Sequence, residues 1–157
     1  MRHAQTPDEL LTPDALLSMS GLEFMRGILE GRLPAPPIAR TLDYRLEEVD
    51  EGRVVFAGAP SFEACNPLGT VHGGWYGTLL DSAMACAIQT RVPKGSAYTT
   101  LEYKVNVIRP VPLGRTVRAI GTASHVGRST GVAEGRMEDA EGRLYATGST
   151  TCIVLTP

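Results

Sequence analysis

Residues 75–89 carry one charge, Asp81, in fifteen positions. The run is helical in composition, and a helix that is apolar nearly all round is buried on most of its sides. The rest of the chain must therefore wrap it. The many Ala and Gly positions in the run allow backbones and ligands to approach closely. A carboxylate inside such a helix is costly unless it is paired or hydrogen-bonded. Two readings of Asp81 follow. It is a structural group satisfied by hydroxyls such as Thr78 or Ser82, or it is a base or nucleophile, the usual work of a carboxylate in perturbed surroundings.

The flanks supply the wrapping. Residues 41–49 and 53–59 read as two strands joined by a turn at Asp50, Glu51 and Gly52. A loop rich in Pro and Gly fills 60–73. After the helix, 98–108, 115–126, 130–139 and 143–155 are strand-like. In 98–107, Leu101, Tyr103, Val105 and Val107 alternate with polar residues, the pattern of a half-buried strand. Strands gathered on one long helix make an α+β chain with an antiparallel sheet. Residues 8–31 add two helix-like stretches, with start signals at Thr6-Pro7 and Thr12-Pro13. The second has a stripe of Leu22, Met25, Ile28 and Leu29. Residues 34–37 read as a stiff Pro-rich connector.

At 157 residues, with 43% hydrophobic residues and net charge −2, the chain is sized for one globular domain. Residues 1–59 hold 6 Lys or Arg against 10 Asp or Glu, whereas 91–157 hold 9 against 5, so the second half suits an anionic ligand. Without interleaved aromatic and basic residues, no nucleic-acid partner is expected. No apolar run is long enough for a membrane helix. The first residues lack the layout of a secretory signal, and a cytoplasmic location is expected. Cys65, Cys86 and Cys152 form no CxxC pair, and neither disulfide nor metal site is expected.

His72, Gly73 and Gly74 stand where the central helix begins. The first N–H groups of a helix lack internal partners and can donate to a ligand oxygen, and glycine leaves them open to a carbonyl. Gly-Gly is equally a tight turn before a helix.

The series Asn66-x6-Gly73-x7-Asp81 with His-Gly-Gly at 72–74 resembles the hotdog-fold acyl-CoA thioesterases of the PaaI-like, phenylacetate-pathway type. Further segments carry the likeness in order: 99–101, 106–110, Gly127-Arg128 and 139–144. It covers about residues 38–155 and leaves 1–37 as a helical extension beside a domain at 38–157. The resemblance implies five to six antiparallel strands around the central helix, sites shared between paired subunits, and hydrolysis of a CoA thioester without metal or other cofactor. It implies a homodimer, pairing further into a tetramer. By position, Asp81 is the catalytic carboxylate, as nucleophile or general base. Gly73 supplies the N–H that polarises the thioester carbonyl, and Asn66 stands beside carbonyl and water. His72 shapes the loop, and Thr100, with Thr99, orients the water. Gly74 and Trp75 fall on the substrate side; read from the residues, Trp75 and Tyr76 suit either an acyl pocket, with Met84, compatible with aryl or medium-chain acids, or a place in the core or an interface. Gly127, Arg128, Ser129 and Arg109 are the candidates for CoA contact.

Two other functions share this fold. A hydratase or dehydratase needs a His paired with a carboxylate, and no His lies on the central helix. A non-catalytic acyl-CoA sensor carries a DNA-binding segment, whereas 1–37 hold three Arg against five carboxylates. Gly73 and Asp81 are eight residues apart, roughly 12 Å along a helix, while attack requires groups within about 3–3.5 Å of the carbon. The two groups are therefore expected to serve one substrate from two different subunits.

Overall fold

The computed structural model describes residues 2–157. The central helix, α4, spans Gly73–Gln89 without interruption. Before it come α1 (Pro13–Leu17), α2 (Gly21–Leu29), α3 (Pro37–Thr41), β1 (Tyr44–Asp50) and β2 (Arg53–Gly58). After it come β3 (Ala97–Val107), β4 (Val117–Val126), β5 (Thr130–Glu138) and β6 (Leu144–Leu155). The six strands form one sheet in the order β1-β2-β4-β5-β6-β3, antiparallel throughout.

Three glycines let the sheet close on α4. Gly121, Gly135 and Gly148 are register partners across β4, β5 and β6. A Cβ on Gly121 would lie 2.1 Å from the Ala83 carbonyl oxygen, and one on Gly135 would lie 2.7 Å from Met84 Cγ. The strands can approach the helix only because these positions have no side chain. On the helix, Leu79, Leu80, Ala83, Met84, Ala87 and Ile88 are buried completely. Removing that apolar surface from water, at about 25 cal/mol per Å², is the main term holding helix and sheet together.

The sheet curls so that its edges β1 and β3 flank the remaining side of α4, and the N-terminal extension fills that side. Its Met25, Ile28, Ala35 and Ala39 belong to the same core as the helix. α2 opens with a capping box, Ser20 accepting from Glu23 N–H while the Glu23 carboxylate accepts from Ser20 N–H. Gly21 then donates to the Val92 carbonyl at 3.0 Å, just beyond the end of α4. Between extension, β1, β2, α4 and the start of β3 remains an apolar cavity of about 320 Å³.

Two local expectations need correction. Residues 37–41 are neither connector nor strand but α3, which places Pro37 at the first helical position, where its missing N–H costs nothing. β1 starts only at Tyr44, because Asp43 turns the chain with a φ of 51°, a left-handed value that Asp tolerates. The expected boundary at 37/38 thus falls inside α3. In β3 the alternation does not give a half-buried strand. The register shifts between Thr100 and Glu102, and Leu101 stands 60% exposed, with Tyr103 and Val107 also exposed. β3 is an edge strand with exposed apolar side chains, of which Tyr103 lies over Gly77 of α4.

Candidate active site

Asp81 lies midway along α4 on the side facing β3, and Thr100 Oγ1 donates to its Oδ1 at 3.1 Å. The two hydroxyls nearest in sequence are engaged elsewhere. Thr78 donates to the Gly74 carbonyl at 2.9 Å, and Ser82 pairs with the Tyr44 hydroxyl at 3.0 Å. Among the described residues Asp81 therefore has one side-chain donor, brought from β3 by the fold. Burial raises its pKa above the ordinary aspartate range, and the Thr100 bond opposes that rise. Around it stand groups that stay neutral. Burial pushes the Cys86 thiol up to about 12 and holds the Cys152 thiol and Tyr98 phenol above their usual ranges. Cys86 faces the cavity rather than bulk water. A carboxylate made more basic in neutral surroundings is suited to accept a proton.

The start of α4 is arranged around His72. Its Nδ1 accepts from Gly74 N–H at 2.8 Å, which places any ring proton of the neutral imidazole on Nε2. Its carbonyl accepts from Trp75 N–H at 3.0 Å. Gly73 N–H is left without a partner among the described residues, and a Cβ at Gly73 would meet nothing within 4 Å. The exposed donor at this terminus is thus Gly73, while Gly74 N–H is consumed by the cap. His72 is the N-cap of α4.

Asn66 organises the loop ahead of the helix. Its Oδ1 accepts from Leu68 and Thr70 N–H, and its Nδ2 donates to Thr70 Oγ1 at 2.9 Å. Trp75 is not at a ligand surface in this chain. It is 2% exposed, packs edge-on to Tyr76, and donates from Nε1 to the Leu42 carbonyl at 3.0 Å. Tyr76 accepts from Val111 N–H at 2.8 Å. Both anchor the start of the helix, because a buried aromatic with a polar tip must find a partner. Met84 is likewise core.

The CoA candidates separate. Thr130 pairs with Ile153, which pairs with Thr99, so the Gly127–Arg128–Ser129 loop and Thr99 occupy the same end of the sheet. Ser129 O accepts from Val154 N–H, and Arg128 is exposed with no carboxylate partner among the described residues. From Thr99 to the other end of β3 at Val107 is eight residues, or roughly 26 Å, and Arg109 lies two residues beyond that end. One chain does not bring Arg109 and Arg128 together.

Sequence reasoning missed the cavity wall of Ser82, Cys86 and Tyr98. The first two lie four apart on α4, a spacing visible in the sequence, but nothing there shows that α2 covers them.

The thioesterase superfamily model matches residues 68–146, just over half the chain. No curated protein matches the sequence. Among solved structures, the PaaI protein of the E. coli phenylacetic acid degradation operon superposes with a TM-score of 0.73 at 21% identity, covering 86% of this chain and 94% of that one. A phenylacetic acid degradation-related protein from Ralstonia eutropha JMP134 gives 0.75 at 27% identity, over 83% and 98%. A thioesterase protein from Streptococcus pneumoniae TIGR4, solved with coenzyme A, gives 0.67 at 25%, over 75% and 91%. With its long helix in a six-stranded antiparallel sheet, the chain belongs to the thioesterase superfamily as a PaaI-like hotdog member.

Proposed function

We propose that this protein hydrolyses acyl-CoA thioesters, with Asp81 as the group that activates water. The observation that carries the reading is Asp81 itself, the one charge on α4, made more basic by burial and oriented by Thr100. Water gives a proton to the carboxylate as its oxygen adds to the thioester carbon. Gly73 N–H donates to the developing oxyanion, assisted by the helix N-terminus. The tetrahedral intermediate then expels the CoA thiolate, which takes the proton back from Asp81. The balance is one thioester and one water giving one acid and one thiol, and it calls for no cofactor. Direct attack by Asp81 would instead form an anhydride; hydrolysis at its aspartyl carbonyl in ¹⁸O-water leaves label in Asp81 after one turnover, and the base route leaves none.

The working unit in this reading is a two-fold pair. α4 is one unbroken helix, so Gly73 and Asp81 are about 12 Å apart along it. An antiparallel pairing of two such helices sets each N-terminus beside the other's middle. The unpaired edge of β3, with Leu101, Tyr103 and Val107 exposed, supports association through that strand. Arg128, with neighbouring Gly127 and Ser129, is the proposed contact for CoA phosphates.

The test is thiol release from a panel of acyl-CoAs, followed colorimetrically. Turnover that Asp81→Asn abolishes supports the reading; no thiol release from any member overturns it.

A further inference from the structure

The cavity beneath the N-terminal extension adjoins the proposed centre on two elements at once. On α4, Ser82 and Cys86 line it, and Ser82 directly follows Asp81. On β3, Tyr98 lines it, and Tyr98 lies two residues before Thr100, on the same face of the strand. The cavity wall thus comes within one residue of Asp81 on α4 and within two of Thr100 on β3.

The lining describes the occupant. From the extension come Leu16, Phe24, Met25 and Ile28, all apolar. The polar pair in the wall, Tyr44 OH and Ser82 Oγ, is hydrogen-bonded within itself and asks nothing of a ligand. At the far end stands Gln89, 8% exposed, with the start of α2 against it; a Cβ on Gly21 would lie 1.7 Å from the Gln89 carbonyl oxygen. The space is therefore blind at that end. Its 320 Å³, at roughly 30 Å³ for each water-sized unit, accepts about ten non-hydrogen atoms.

We infer that this cavity receives the acyl tail, and that residues of the N-terminal extension set its length, selecting apolar tails of about eight to ten carbons. The inference rests on the thioesterase reading and adds the substrate class and the part of the chain that measures it. Each methylene buried in the cavity raises kcat/KM about fourfold until the space is full, after which kcat/KM falls.

The test is a chain-length series on the full protein, from acetyl- to myristoyl-CoA with phenylacetyl-CoA beside it. Ala39→Leu adds three carbons to the wall and shifts the optimum about two to three carbons shorter. Phe24→Ala opens the wall and shifts it longer. Acetyl- and butyryl-CoA, too short to reach either position, change less than about twofold. An optimum that moves in neither variant, while both melt cooperatively and still cleave butyryl-CoA, overturns the cavity assignment and leaves the hydrolase reading standing. No hydrolysis by the wild type overturns both. S-alkyl-CoA thioethers give a check on the wild type that needs no variant. Affinity that tightens up to the decyl compound supports the assignment, and affinity indifferent to chain length contradicts it.

Discussion

Replacing Gly73 by proline removes one hydrogen-bond donor, puts the ring Cδ in its place and leaves the helix start otherwise intact. Gly73 is the first residue of α4, the position where proline is best tolerated in a helix. His72 before it sits at φ −65° and ψ 140°, the extended geometry that a residue preceding proline prefers. A Cβ at position 73 meets nothing within 4 Å. The cap survives, because it uses Gly74 N–H and His72 Nδ1. Stability should hold or rise by about 0.4–1 kcal/mol, since proline restricts the unfolded chain. Loss of one oxyanion donor costs about 2.7–4 kcal/mol, a factor of roughly 10²–10³ in kcat. Gly73→Ala keeps the N–H and is the control. The assay is saturating thiol release, with the melting temperature of each protein beside it. Wild-type kcat in Gly73→Pro, or an equal loss in Gly73→Ala, would refute the assignment of the donor.

Three other perturbations probe the same site. Asp81→Asn should abolish most turnover and raise the melting temperature at neutral pH, where about 1 kcal/mol corresponds to roughly 2–4 °C. A carboxyl with a raised folded-state pKa favours folding while protonated and loses that contribution as pH rises through the folded value, so the gain should vanish in acid. Thr100→Val removes the bond that opposes burial, and should move the acidic limb of kcat/KM to higher pH; an unmoved limb detaches Thr100 from Asp81. Arg128→Ala should raise KM with kcat little changed, because phosphate contacts bind ground and transition states alike, and should flatten the dependence of KM on salt.

The central helix was legible because one charge in fifteen residues leaves few alternatives to burial, and the strands followed from their turns. Asp81 stood out for the same reason. Its partner came only through the resemblance, which gave Thr100 the orienting of the water. Thr78 and Ser82 are nearer in sequence, yet the register of β3 against β6 delivers Thr100. Trp75 read as a pocket residue because an aromatic beside a glycine pair fits either setting; the Leu42 carbonyl that claims its N–H lies 33 residues away. The stripe on α2 was visible, but the face it covers depends on how the sheet curls, which local pattern does not encode. Leu101 fits an alternating strand until the register shift after Thr100 leaves it exposed, while Tyr103, though half exposed, lies over Gly77 of α4.

The most direct test of a site shared between two subunits is complementation. Gly73→Pro and Asp81→Ala proteins are each nearly inactive alone. When equal amounts are unfolded together and refolded, random pairing makes about half the dimers mixed, and each mixed dimer has one intact site of two. Activity should recover to about a quarter of wild type. No recovery, with mixed dimers confirmed by mass, would mean that both groups act within one chain and would contradict the account.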